Sequence, residues 1–194
     1  MRKTAIQTWV LGLVCWAACV SSWAALRLPA IFSDHMVLQK GQVVPVWGWA
    51  EPGEPVAVSM AGRTWKAVTG PDGKWRVTLD ALDSGEPLTL TVKGNGTHTI
   101  VVQDVLVGEV WLCSGQSNME MGVGGVRDAN QEMAAAKFPA IRTFRVQHQA
   151  NPAPQEECAG EWKVCSPNTV GQFSAAAYFL YSDFSLANTL GGGL

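Results

Sequence analysis

The chain has 194 residues, of which 47% are hydrophobic and 15% are charged, and its formal net charge is −2 at pH 7. This composition excludes an intrinsically disordered tail and a charge-rich solvated helix. A weakly acidic chain without a basic run has no electrostatic footprint for nucleic acid or for an anionic membrane surface. The 20 glycines and 10 prolines are spread along the chain and indicate many turns between short strands.

The first predicted element is a secretory signal peptide over residues 1–24. Arg2 and Lys3 make its start positive, and an uncharged apolar run follows at residues 9–20 (WVLGLVCWAACV). This run is shorter than the roughly 20 apolar residues that a membrane-spanning helix needs. Ser22 and Ala24 supply the small residues that precede a cleavage site. We therefore expect a secreted or periplasmic protein without a membrane anchor.

Residues 25–104 are predicted to form an antiparallel β-sandwich. Apolar and polar residues alternate in short segments, for example at residues 75–79 (WRVTL) and 88–92 (LTLTV), and a period of two is typical of half-buried strands. Turn residues separate these segments, among them Pro71-Asp72-Gly73 and Gly94-Asn95-Gly96. Since one such sheet cannot bury its apolar face alone, we expect two packed layers.

The character of the sequence changes near residue 104, and residues 105–194 are predicted to be the incomplete start of an α/β domain. A nearly continuous apolar run at residues 105–113 is typical of a strand that is covered on both faces. Residues 129–137 favour a helix, and residues 141–146 (IRTFRV) alternate like another strand. Apolar residues then recur at helical spacing over about residues 170–190.

Ser117 follows this apolar run after a glycine-containing turn and precedes a predicted helix. Such a position exposes a hydroxyl group at the carboxyl edge of a sheet, where α/β folds place ligands. Backbone N–H groups of the following helix would face a developing oxyanion. The surroundings do not form Gly-x-Ser-x-Gly, because Met119 occupies the last position. The spacing alone favours a serine that caps a helix over a nucleophile.

Three cysteines lie beyond the leader. Cys113, within an apolar run, is expected to be a small buried thiol. A disulfide between Cys158 and Cys165 would close a short loop and contribute about 2.5 kcal/mol in the chain-entropy estimate. Two free thiols are equally compatible with the sequence. No cysteines and histidines have metal-ligand spacing, so the sequence predicts no metal site.

Three segments, in order along the chain, resemble the sialate O-acetylesterase family, a branch of the SGNH hydrolases. Residues 111–120 (WLCSGQSNME) resemble the block that carries the family's nucleophile, and residues 31–39 (IFSDHMVLQ) resemble the opening of its amino-terminal β-domain. Residues 162–167 (WKVCSP) and 173–179 (FSAAAYF) resemble the segment after the nucleophile. The resemblance covers about residues 26–180 and points to an amino-terminal fragment of such a protein.

The resemblance implies a serine esterase that hydrolyses O-acetyl esters of sugars and a partial α/β/α domain of the SGNH type. Ser117 would attack the acetyl carbonyl, release the sugar hydroxyl and form an acetyl-enzyme, from which water would release acetate. The backbone N–H of Ser117 would form part of the oxyanion hole. The implied partner is an O-acetylated sugar or glycan, and no metal or organic cofactor is implied. On this basis Ser117 is predicted to be the nucleophile rather than a cap.

The general base of the family does not occur in this sequence. A serine hydroxyl is a weak nucleophile unless a base, normally a histidine oriented by a carboxylate, takes its proton. The residues three positions before His35, His98 and His148 are Phe, Asn and Arg, so none of them matches the family's Asp-x-x-His block. From Tyr181 onward the tail no longer resembles the family, which suggests a truncated or frame-shifted gene product. We expect a weak or inactive esterase when the chain is alone.

The main alternative is a non-catalytic exported β-sandwich that binds carbohydrate. Tryptophan side chains can stack on sugars, although those in strands alternate with polar residues and are expected to fill the core. The tryptophans beyond the leader are Trp47, Trp49, Trp65, Trp75, Trp111 and Trp162. A partner chain that carries the histidine block is a further alternative.

The sequence assigns no catalytic role to Glu120, Asp128 or His148. Glu120 and Asp128 follow Ser117 closely, but the sequence offers neither of them a histidine partner. His148 lies in a polar loop that could approach Ser117, and an isolated exposed histidine is the simpler interpretation.

Overall fold

A computed structural model describes residues 25–189 of the chain, with side chains as far as residue 182. The predicted signal peptide, residues 1–24, lies outside the described residues, and so do the last positions of the atypical tail, residues 190–194. None of the helices in the described range combines the length and the apolar character that crossing a bilayer requires.

The amino-terminal half of the described chain is built from strands. Within residues 25–108 these are β1 (Val37–Gln39), β2 (Val44–Trp49), β3 (Pro55–Met60), β4 (Arg63–Val68), β5 (Lys74–Leu79), β6 (Leu88–Lys93) and β7 (Thr99–Gly108). The alternating segments at residues 75–79 and 88–92 lie in β5 and β6, as predicted. In β5 buried and exposed residues alternate strictly, so that Trp75, Val77 and Leu79 all face the interior.

The strands between residues 25 and 108 form two sheets. One has five strands in the order β1-β7-β6-β3-β4, and the other consists of β2 and β5. Neighbours are antiparallel except β1 and β7, which run parallel. The predicted turn before β5 is present: Gly73 has a φ of +75°, and the Asp72 carboxylate accepts the backbone N–H of Lys74 at 3.3 Å. This turn lets the chain enter β5 beside β2.

A single apolar core draws on both of these sheets. Val46 and Leu79 come from the β2–β5 sheet, while Val58, Leu90 and Val105 come from the five-stranded sheet, and all five are 0% exposed. Burying a side chain of this size stabilises a fold by roughly 1.5–3 kcal/mol. The strands therefore surround a core of their own, which ends near the last residues of β7.

The described residues after β7 form helices and a two-stranded sheet around a smaller core. These elements are α1 (Ser117–Glu120), α2 (Ala129–Ala135), β8 (Arg142–Val146), β9 (Gly160–Val164) and α3 (Ala175–Thr189). β8 and β9 pair with each other in an antiparallel sheet. The smaller core contains Val123, Ile141, Val170, Phe173 and Tyr178. The helices predicted over residues 129–137 and about 170–190 correspond to α2 and α3.

The strand predicted over residues 105–113 differs in the structure. β7 ends at Gly108, and residues 109–115 are not part of a strand. Val110, Trp111 and Leu112 are exposed, Leu112 to 96%. A strand that is covered on both faces needs packed neighbours on each side. The prediction of a covered strand is therefore wrong for residues 109–113, although Val105 and Val107 of the same run are buried in β7.

Candidate active site

Ser117 is the first residue of α1 and follows Gln116, which comes directly after the segment at residues 109–115. It is exposed, as are its neighbours Gln116 and Asn118. The capping position belongs to Gln116, which makes no side-chain capping hydrogen bond, so Ser117 does not occupy the position that the helix-cap alternative requires. Its carbonyl oxygen accepts the backbone N–H of Met121 at 3.1 Å. The hydroxyl of Ser117 is open to an incoming molecule.

The end of α1 is fixed on the smaller core, while its start remains open. The hydroxyl of Ser174 donates to the sulfur of Met119 at 3.1 Å, and the backbone N–H of Ala175 donates to the carbonyl of Met121 at 2.8 Å. Gly122 lies so close to the chain that a Cβ there would meet the carbonyl oxygen of Gly171 at 2.7 Å. These contacts hold the helix that presents Ser117.

A histidine of the loop after β8 lies next to a carboxylate of α1. Nε2 of His148 lies 3.3 Å from Oε1 of Glu120, and the two side chains are 75% and 53% exposed. Glu120 belongs to α1, three residues after Ser117, and residues at this spacing are neighbours on a helix surface. A histidine partner of Glu120 could not be predicted from the sequence, because His148 reaches Glu120 only through the position of the loop after β8.

A second polar cluster joins the two parts of the chain. Nδ1 of His35 lies 2.6 Å from Oδ2 of Asp104, and Arg142 donates to both oxygens of Asp104, at 2.8 and 3.2 Å. The Arg142 side chain is only 5% exposed, that of Asp104 32%. The guanidinium group of Arg142, aided by His35, holds the pKa of the Asp104 carboxyl below its ordinary value. His35 and Asp104 both have positive φ, 69° and 53°.

A cavity of about 340 Å³ opens beside this cluster rather than at the predicted nucleophile. Its lining includes His35, Trp162, Lys163, Ser166, Asn168 and Gln172. Ser117 does not line it. Among the side chains that the structure describes, residues 25–182, no three of His, Cys, Asp or Glu come together in a way that could hold a metal ion.

The cysteines that could form a disulfide are not joined in the structure. Cys158 and Cys165 are both free thiols, the first half-buried and the second buried. Burial raises the pKa of the Cys165 thiol. Cys113 is also a free thiol and only half-buried, in contrast to the buried position expected for it, because the segment that carries it is not covered. The structure thus has the free-thiol arrangement that the sequence left open.

Comparison with known proteins gives this geometry a context. No protein-family model matches the chain. The sialate O-acetylesterase of Mus musculus is 36% identical over 139 residues, which are 65% of this chain and 25% of that protein. The sialate O-acetylesterase of Homo sapiens is 32% identical over 148 residues, 71% of this chain and 28% of that protein. This chain is related to the sialate O-acetylesterases.

A solved structure supports the same relationship. A carbohydrate acetylesterase from Xanthomonas citri, XAC1771, matches this chain with a TM-score of 0.81 and 38% sequence identity, over 84% of this chain and 38% of that one. The chain spans about a quarter of the length of the curated sialate O-acetylesterases that it matches. The shared architecture is mostly β-strand with few helices.

Proposed function

We propose that Ser117 is the nucleophile of a carbohydrate O-acetylesterase. The observation that carries this proposal is the exposed position of Ser117 at the start of α1, in a chain related to the sialate O-acetylesterases. The backbone N–H groups of Ser117 and Asn118 are the first two of the helix, and such groups have no acceptor within the helix. They are suited to stabilise an oxyanion on an ester carbonyl that Ser117 attacks.

The proposed reaction is ester hydrolysis by acyl transfer. Oγ of Ser117 bonds to the acetyl carbon, the bond from that carbon to the sugar oxygen breaks, and the serine proton passes to the departing sugar oxygen. Water then attacks the acetyl-enzyme, which releases acetate and restores the hydroxyl group. The proposed substrates are O-acetylated sugars or glycans, with sialic acid esters indicated by the name of the curated relatives.

We further propose that this chain turns over slowly when it is alone. The Asp-x-x-His block that the resemblance implies as the source of the base does not occur in its 194 residues. Loss of the base from a serine triad lowers turnover by a factor on the order of 10⁶. We also propose export to the periplasm or the exterior, which rests on the signal-peptide pattern of residues 1–24.

For the fold, we propose a two-layer antiparallel sandwich that is followed by the start of an α/β/α domain of the SGNH type. One core shared by both sheets supports the first part, and the separate core around Val170 supports a second unit. β7 continues past the boundary predicted between residues 104 and 105, as far as Gly108. The proposed boundary therefore moves to the extended segment at residues 109–115.

Limited proteolysis is expected to separate the two proposed units. β7 is paired with β1 on one side and β6 on the other, whereas residues 109–115 are largely exposed and outside any strand. Exposed segments of this kind are preferred cleavage sites. Mass spectrometry should find a stable fragment that ends shortly after Gly108. Uniform resistance of the chain, without a cut in residues 109–115, would contradict the division.

Replacement of Ser117 by alanine tests the proposed nucleophile. The purified chain should release acetate from an aryl acetate slowly, and Ser117→Ala should lower this release by about tenfold or more, because the remaining oxyanion contacts cannot form an acyl-enzyme. A fluorophosphonate probe, read by mass spectrometry, should label the parent chain and not the variant.

Ser114→Ala is the matched control, since Ser114 is an exposed serine on the same segment. It should leave both acetate release and labelling unchanged. Equal acetate release by the parent chain and Ser117→Ala would refute the nucleophile. Glycan binding without acetyl release in either protein would favour the carbohydrate-binding alternative.

A further inference from the structure

The three histidines of the chain lie in different surroundings. His35 is hydrogen-bonded to Asp104, whose other contacts go to Arg142. His98 is exposed in the turn between β6 and β7. His148 is the histidine whose ring contacts the helix that begins with Ser117, through Glu120. Within residues 25–182, the contact with α1 singles out His148 as a candidate base for that serine.

The contact with Glu120 leaves one ring nitrogen of His148 available. In the neutral tautomer whose Nε2 carries the proton toward Glu120, Nδ1 has the lone pair. The Cβ atoms of Ser117 and Glu120 are about 5–6 Å apart, as for any pair at this helical spacing. An imidazole ring with a hydrogen bond of about 3 Å at each nitrogen can bridge two side chains at that separation.

We propose that His148, positioned by Glu120, is the proton acceptor for Ser117 in this chain, an inference that rests on the proposed function of Ser117. As Oγ of Ser117 bonds to the acetyl carbon, its proton passes to Nδ1 of His148. His148 returns this proton to the departing sugar oxygen. In the second half of the reaction His148 takes a proton from the attacking water and returns it to Oγ of Ser117 as acetate leaves.

The solvent exposure of His148 and Glu120 limits the rate enhancement that we expect from this base. Well-positioned acid–base groups typically contribute a factor of about 10²–10⁴, but both side chains here are more than half exposed. An exposed ion pair holds its partners loosely, since side-chain entropy and solvent oppose it. The base is therefore expected to contribute about tenfold to a slow reaction.

Histidine replacement tests the acceptor directly. His148→Ala should lower Ser117-dependent acetate release from an aryl acetate about tenfold. His98→Ala, which replaces an exposed histidine in the turn between β6 and β7, should leave the release unchanged. Added imidazole should restore part of the activity of His148→Ala, which loss of a merely structural residue would not allow. Imidazole itself hydrolyses aryl acetates, so acetate release by the Ser117→Ala/His148→Ala double variant with imidazole is subtracted as the background.

Glu120 is tested as a positioning residue by a double-mutant cycle. Glu120→Gln should lower acetate release in the parent chain but have no further effect in His148→Ala, because it acts through that histidine. An equal loss in both backgrounds would overturn the positioning role. If Ser117→Ala loses activity and His148→Ala does not, the base is refuted while the nucleophile stands. If Ser117→Ala retains activity, both proposals fail.

Discussion

Leu90→Ala is expected to lower the free energy of unfolding of the amino-terminal core by about 2–5 kcal/mol. Leu90 lies in the middle of β6, is 0% exposed, and stands opposite Val102 of β7. Its removal takes apolar atoms from a core that both sheets fill, and the strands around it cannot close the resulting cavity fully. Urea unfolding followed by tryptophan fluorescence measures the loss, with Trp75 as a buried reporter in the same core.

Thr89→Ala provides the matched control for this core prediction. Thr89 is the preceding residue of β6 and is exposed, on the opposite face of the strand. Its replacement should change the free energy of unfolding by less than about 1 kcal/mol. A loss of less than about 1 kcal/mol for Leu90→Ala itself would show that β6 is not packed in this core.

The strands of the amino-terminal part could be predicted because their signals are local. Alternation of apolar and polar residues within β5 already indicates which face is buried. Turns carry equally local signals, as at Gly96, where a φ of 68° suits a residue without a Cβ. The parallel pairing of β1 with β7 has no such signal, since it joins distant segments and depends on packing of the whole sheet.

The apolar segment at residues 109–115 shows the limit of reading burial from composition. Val110, Trp111 and Leu112 predict a covered strand, because apolar runs normally find packed neighbours. Whether a segment is buried depends on the elements that pack against it in the fold and not on its own composition. In the structure Val110, Trp111 and Leu112 are exposed in spite of this strong local signal. The same exposure makes association through this surface a risk when the chain is alone.

The candidate site also has one feature that could be predicted from the sequence and others that could not. The exposed position of Ser117 before a helix could be predicted from the local pattern, whereas its role as nucleophile rests on the family resemblance and stays a prediction. The contact between Glu120 and His148 could not be predicted, because the two residues are distant in sequence and meet through the loop after β8. The role of Arg142 could not be predicted from the sequence either, although its side chain is only 5% exposed in its ion pair with Asp104. Its role appears only when the two parts of the chain are packed together.

The Arg142 cluster stabilises the junction between these parts. Asp104 is a residue of β7, whereas Arg142 begins β8, and its guanidinium group also donates to the carbonyl oxygens of His35 and Pro139, at 3.3 and 2.7 Å. A guanidinium group that is this deeply buried needs a carboxylate, since an unpaired buried charge is strongly destabilising.

Asp104→Asn is expected to lower the free energy of unfolding by about 2–3 kcal/mol at neutral pH, less than the loss for a fully buried pair because the carboxylate is partly exposed. Asparagine tolerates the positive φ of this position, so the change removes charge without adding backbone strain. Urea unfolding at pH 7 measures the loss. Asp80→Asn is the control, because Asp80 pairs with Arg63 at 3.5 Å on the exposed surface and should cost less than about 1 kcal/mol.

The pH dependence of Asp104→Asn separates a charge effect from a packing effect. The folded structure holds the pKa of Asp104 below its ordinary value, chiefly through the Arg142 hydrogen bonds. The Asp104 carboxylate therefore stabilises the fold fully above the ordinary aspartate pKa of about 3.9. This stabilisation is lost as the pH falls through the lower, folded value. The difference between the parent chain and Asp104→Asn should therefore shrink when unfolding is measured from about pH 5 down to about pH 3 and below. A difference that stays constant over this range would mean that the carboxylate acts through shape rather than charge.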